Sequence, residues 1–128
     1  MWKVIMFICI DFDGTIVDHA YPVIGEPVPN AIKWMKRFNE LGGDLILFTM
    51  RSGKHLSEAV TYVEDNGIQL FGANNNPTQR EWTNSPKVYG HVYIDDAAAC
   101  CPLIFPVGFN RPCVDWNIVG PYVERMLW

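Results

Sequence analysis

A Rossmann-like α/β domain, three layers deep with a mostly parallel sheet and helices on both faces, is predicted by three features of the sequence. Short apolar runs alternate with segments of helical periodicity, glycines and prolines punctuate them, and several of the runs end in polar side chains. Residues 4–10 (VIMFICI) form a continuous apolar run, the pattern of a strand buried on both faces. Residues 14–28 read as a loop carrying Pro22, Gly25 and Pro27, after which Pro29 suits the first position of a helix. Ile32, Met35, Phe38 and Leu41 recur at helical spacing, and Gly42 and Gly43 stop that helix. Residues 45–48 are a second buried strand ending at Thr49, followed by a helix with Leu56, Ala59, Val60 and Val63 on one face and Gly67 as its stop. Residues 68–71 read as a third strand, residues 72–86 as a polar loop, and residues 91–94 as a fourth strand ending at Asp95 and Asp96. Residues 97–113 are irregular, with a fifth strand expected near 103–107, and Asp115 caps a final helix to about Met126.

The chain has 128 residues, which suits one domain. Its 49% hydrophobic and 19% charged residues are a globular balance, and a net charge of −4 without a dense basic run argues against a dedicated nucleic-acid binder. Lys3 before an apolar run mimics a secretory signal, but the run is short and Asp11 and Asp13 end it, so neither a signal peptide nor a membrane span is expected. Cys9, Cys100, Cys101 and Cys113 lack paired spacing and a histidine partner at ligand spacing, which favours reduced thiols and a cytoplasmic protein over a zinc site.

Open parallel sheets bind ligands beyond the carboxyl ends of their strands. Asp11 and Asp13, Thr49, and Asp95 and Asp96 all fall at such ends. Residues i and i+2 of a strand point the same way, so Asp11 and Asp13 would crowd two negative charges together. Carboxylates from two strand ends make a hard oxygen site suited to Mg²⁺, which would relieve that repulsion. Thr49 offers a hydroxyl and nearby backbone N–H groups to an anion, and Lys87 is the candidate positive charge. Phosphoryl transfer needs this combination of positioning and charge neutralisation. Arg51 follows the second strand as either a substrate-anion contact or a surface residue. His19 and Tyr21 are candidate substrate contacts, His55 lies near the site, and Asn74–Asn76 with Gln79–Trp82 form either a recognition loop or an ordinary polar one.

These segments resemble the haloacid dehalogenase superfamily of phosphatases, in its small capless form. The Asp-x-Asp-x-Thr motif corresponds to Asp11-Phe12-Asp13-Gly14-Thr15, the Thr that ends a hydrophobic strand to Thr49, the Lys to Lys87, and the acidic pair to Asp95 and Asp96. The resemblance spans residues 4–107 or so. It implies that Asp11 attacks phosphorus to form an aspartyl phosphate, and that Asp13 protonates the leaving oxygen and then activates water. It further implies Mg²⁺ held by Asp11, the Asp13 carbonyl and Asp95, with Asp96 outside that shell. Thr49 and Lys87 would grip the phosphoryl oxygens, and Gly14 would let the chain turn away without crowding the phosphate.

Many such phosphatases carry a cap domain, for which residues 14–28 and 67–86 are too short. An open site follows, or one covered by a second copy of the chain in a homo-oligomer. It would admit small phosphorylated metabolites or a phosphorylated nucleic-acid end, the latter making the chain a 3′-phosphatase. A receiver-like signalling module also uses Asp, Thr and Lys on a parallel sheet, but its Thr and Lys follow the phosphorylated Asp after an earlier acidic pair. Here the Thr and Lys87 precede the second acidic pair. A non-enzymatic phosphate- or Mg²⁺-binding module is the remaining alternative, against which all four motif positions are filled.

Overall fold

The computed structural model describes residues 5–128. Four strands, β1 (Phe7–Ile10), β2 (Asp44–Leu47), β3 (Leu70–Ala73) and β4 (Val92–Ile94), form one parallel sheet in the order β3-β2-β1-β4. Three helices flank it: α1 (Ala31–Glu40), α2 (Gly53–Asp65) and α3 (Trp116–Met126). The α/β class, the single domain and the parallel sheet are those the sequence predicts. Val4, the first residue of the predicted opening strand, lies outside the described residues.

Strand alternation sorts the core into two parts. Ile8, Ile10, Leu45 and Leu47 face a large cluster that also takes Met35 and Phe38 of α1, Ala59 and Val63 of α2, and Trp116 and Val123 of α3. Phe7, Cys9 and Ile46 face the other way, into a smaller cluster with Val88, Phe48, Phe71 and Tyr89. Each fully buried aliphatic or aromatic side chain contributes roughly 1.5–3 kcal/mol. The buried residues of all three helices therefore lie on one face, where the sequence predicts helices on both. Right-handed crossovers explain this: β1-α1-β2-α2-β3 steps outward in one direction and lays both helices on one side. The return from β3 to β4 crosses the other face, and its sequence, NNNPTQREWTNSP, supports only a single 3-10 turn at Gln79–Glu81. The third layer is this connection. Gln79, nearly fully buried, holds it together by donating to the carbonyls of Ser85 and Lys87 and accepting from the Tyr89 N–H.

α1 begins at Ala31, not at Pro29, because Asn30 takes a left-handed backbone (φ 66°) immediately before it. α3 begins where Asp115 was expected to cap it, and the Asp115 carboxylate accepts from the Asn117 N–H. α3 crosses α1 closely: a Cβ on Gly120 would run into the ring of Trp34, and Arg37 Nε lies 2.8 Å from Glu124 Oε2. The expected fifth strand is two residues long and does not extend the sheet. Leu103–Ile104 (β5) pairs antiparallel with Cys113–Val114 (β6) in a separate hairpin. None of the described helices is long and apolar enough to cross a membrane.

Candidate active site

The chain runs β1, β2, β3 outward and then returns to place β4 on the other side of β1. The carboxyl ends of β1 and β4 thus flank the switch point where such sheets bind ligands. Ile10 pairs with Ile94, and the Asp11 N–H donates to the Ile94 carbonyl at 2.9 Å, so the residues that follow the two strands emerge side by side. Asp11, Asp95 and Asp96 each bring a carboxylate oxygen within 4.8 Å of the others. Asp96, expected outside the metal shell, belongs to this group.

Asp13 does not join them. The strand ends at Ile10, and residues 12–17 fold into a tight turn in which the N–H groups of Thr15, Ile16 and Val17 all point to the Phe12 carbonyl. The i, i+2 crowding expected of a strand is therefore relieved by the turn. Gly14 (φ 87°) allows it, and a Cβ there would collide with His19 Nε2 and the Asp96 carboxylate. Thr15, fully buried, bridges the two strand ends: its hydroxyl donates to Asp11 at 3.2 Å and accepts from the Asp96 N–H at 3.2 Å.

Arg51 receives Asp13. Its Nε and Nη2 donate to the two carboxylate oxygens at 2.9 and 2.8 Å, and Nη1 and Nη2 reach the carbonyls of Pro22 and Val23 at 3.0 Å each. The guanidinium stacks on Phe12 and Tyr21 and is only 1% exposed. Arg51 is not a surface residue; it lines the cleft, and the hydrogen bonds it makes go to protein groups. Its place is fixed by the segment after β2, where the Thr49 N–H donates to Asn74 Oδ1, the Arg51 N–H donates to the Thr49 hydroxyl, and Asn74 Nδ2 donates to the Arg51 carbonyl. α2 starts at Gly53 with Ser52 before it, and Thr49, just after β2, lines the cleft. Asn74 braces this segment from behind. Neither it nor the rest of the 72–86 loop lines the cleft.

The cleft has a volume of about 540 Å³ and is lined by the four acids, Thr49, Arg51, His19, Tyr21 and Arg111 among others. His19 Nε2 lies 2.9 Å from Asp96, and Tyr21 is largely exposed at the rim, its ring against His55. Lys87 does not line the cleft. It is exposed, with its ammonium over the Tyr93 ring, because the connection that precedes β4 runs across the opposite face of the sheet. His55 pairs with Glu58 outside the cleft. The four cysteines are free thiols, Cys9 and Cys113 buried. Arg111 carries no signal that distinguishes it in the sequence, and Thr15 is visible only as the last residue of the Asp-x-Asp-x-Thr motif; their placement arises from the turn and from the β5–β6 hairpin.

Burial raises the Asp11 pKa to about 8, aided by the Asp95 charge and by the hydrogen bond and charge of Asp96, while the Phe12 N–H opposes the rise. In the metal-free protein the folded state thus holds a proton that the unfolded chain releases, between the ordinary 3.8 and about 8. Stability then falls as pH rises through that window. Chelator-treated protein is expected to melt at a lower temperature at pH 8 than at pH 5.5, and a divalent cation that binds the acids should raise the melting temperature more at pH 8. A pH-independent melting temperature, unchanged by Mg²⁺, would remove this coupling.

No protein-family model matches the chain, and no curated protein matches it. Among solved structures, a conserved protein from Bacteroides thetaiotaomicron superposes with a TM-score of 0.76 at 32% sequence identity, covering 96% of this chain and 93% of that one. The described cleft thus belongs to a fold shared along nearly the whole length of both chains, and this chain belongs to the same family as that conserved Bacteroides thetaiotaomicron protein.

Proposed function

We propose that the chain is a Mg²⁺-dependent phosphomonoester hydrolase of the haloacid dehalogenase type, acting through an aspartyl phosphate on Asp11. One observation carries the reading: Asp11 follows the strand at the switch point, grouped with Asp95 and Asp96, while the second acid of the same motif, Asp13, is held apart from them by its own cation. A purely acidic surface cluster has no need of that division. The donor set is hard and all-oxygen, which fits Mg²⁺, with Asp11, Asp95 and Asp96 as its candidate ligands. When bound, the metal would neutralise the carboxylates and the phosphoryl charge.

The chain's own residues supply the rest. Asp11 provides the nucleophilic oxygen, oriented by the Thr15 hydroxyl. Thr49 offers its hydroxyl to a phosphoryl oxygen from the neighbouring strand end. Asp13 transfers the proton to the leaving oxygen and takes one from the attacking water. Both Asp13 oxygens accept from Arg51, which fixes the orientation of this carboxylate. The free cysteines support a cytoplasmic setting.

A phosphorylated nucleic-acid end is the second reading of the substrate. It is supported by the absence of a folded insertion over the cleft among the described residues and by the exposed Tyr21 ring at its rim, a surface on which a base can stack. The decisive experiment measures turnover of an aryl phosphate, a sugar phosphate and a 3′-phosphorylated oligonucleotide with and without Mg²⁺. Chelator is expected to abolish activity, and Asp95→Asn to raise the Mg²⁺ concentration needed for half-maximal rate. Undiminished activity in excess chelator overturns the metal assignment; no turnover of any phosphomonoester overturns the hydrolase.

A further inference from the structure

We infer that Arg111 is the cation that grips the phosphoryl group in this cleft, the task expected of Lys87; the inference rests on the phosphomonoesterase reading above. Three basic side chains line the cleft. Arg51 is buried and bonded to Asp13 and two backbone carbonyls, and His19 is paired with Asp96. Arg111 is exposed, and no acidic partner engages it among the described residues. A phosphate dianion entering a cleft walled by four carboxylates needs a counter-charge, and Arg111 is the one whose donors are uncommitted.

Its position is built rather than incidental. Arg111 sits in the β5–β6 hairpin, and the residue before it is tied twice to the loop that leaves the catalytic turn. The Asn110 N–H donates to Asp18 Oδ2 at 2.8 Å, and Asn110 Nδ2 donates to the His19 carbonyl at 2.9 Å. Asp18 is itself buried, with its other oxygen accepting from the His19 N–H. At the base of the hairpin, the Val114 N–H donates to the Gly14 carbonyl at 3.0 Å. The segment that presents Arg111 is thus anchored at one end to the turn that carries Asp13 and Gly14 and at the other to the loop that leaves it. A guanidinium offers a planar fork that matches two phosphoryl oxygens at once.

Inorganic phosphate, titrated calorimetrically into the full chain in saturating Mg²⁺, tests the assignment directly. The parent chain is expected to bind phosphate, and Arg111→Ala to bind it roughly ten- to a hundredfold more weakly, the usual loss for a hydrogen-bonded charged contact. Arg111→Lys should fall between them, because an ammonium keeps the charge without the fork. An unchanged melting temperature in each variant is expected of an exposed side chain. Equal phosphate affinity in parent and Arg111→Ala overturns the inference, as does a parent that does not bind phosphate. The hydrolase reading is separated by turnover. Phosphate binding that needs Arg111, in a chain that hydrolyses no phosphomonoester, leaves the contact standing and removes the enzyme. Hydrolysis by a chain whose phosphate affinity ignores Arg111 does the reverse.

Discussion

Arg51→Met is expected to destabilise the fold by about 3–5 kcal/mol, the usual consequence of removing one partner from a buried ion pair. Arg51 is 1% exposed, and its carboxylate partner 18%. The substitution leaves the Asp13 charge without its bidentate donor and the carbonyls of Pro22 and Val23 without theirs. A total stability of roughly 5–15 kcal/mol makes that loss a large fraction of the whole. The volume change is small, so cavity formation between Phe12 and Tyr21 is a minor term. Arg51→Lys keeps the charge but reaches only some of these acceptors and should lose less. The denaturation midpoint reads this effect. A double-mutant cycle with Asp13→Asn isolates the pair itself, because removing the orphaned charge should return part of the lost stability without restoring activity. An Arg51→Met chain with an unchanged midpoint would mean that the clamp contributes nothing.

The same residue shows where sequence reading stops. The strands were legible because parallel strands covered on both faces are apolar at every position, and residues 7–10 and 45–47 are buried throughout. The helices were legible because Met35, Phe38, Ala59 and Val63 repeat at helical spacing toward one core. The acids at the strand ends were legible because a strand end in an open sheet has a fixed relation to the ligand crevice. Cations have no such relation. Lys87, Arg51 and Arg111 differ in placement here only through which loop carries them and which face that loop crosses. Lys87 rides the connection over the far face, Arg51 turns inward behind the Thr49 strand end, and Arg111 arrives from a hairpin of two-residue strands too short to leave a period. Local pattern likewise says nothing of handedness, so the side on which α2 lies was set by crossover geometry and not by its composition. Thr15 was visible only as part of a motif; its bridge between Asp11 and the Asp96 N–H exists because the turn after Gly14 folds it back between two adjacent strands.

Asp11→Asn and Asp13→Asn are expected to fail in different ways. Asp11→Asn removes the nucleophile, so no phosphoenzyme forms with any substrate. It also removes the carboxyl group whose burial and acidic neighbours raise its pKa to about 8, so this variant should lose the pH dependence of metal-free stability. Asp13→Asn keeps the nucleophile and deletes the proton-transfer group. Its amide retains one oxygen that can accept from Arg51, which limits the structural damage, and melting curves check this before kinetics are compared. An alkyl phosphate, with a poor leaving group, requires the acid and should react very slowly in this variant. An aryl phosphate departs without protonation, so Asp11 can still be phosphorylated. Hydrolysis of that intermediate needs the base and should slow by roughly 10²–10⁴-fold, the usual contribution of a positioned acid–base group. Asp13→Asn should therefore give a burst of phenol stoichiometric with enzyme, then a slow steady state, and mass spectrometry should place the added phosphoryl group on Asp11. Asp13→Asn should therefore prefer aryl over alkyl phosphates more strongly than the intact protein does. Turnover by Asp11→Asn, together with the absence of a burst in Asp13→Asn, would exchange the two roles: Asp13 would then be the nucleophile, and Arg51 the cation that activates it.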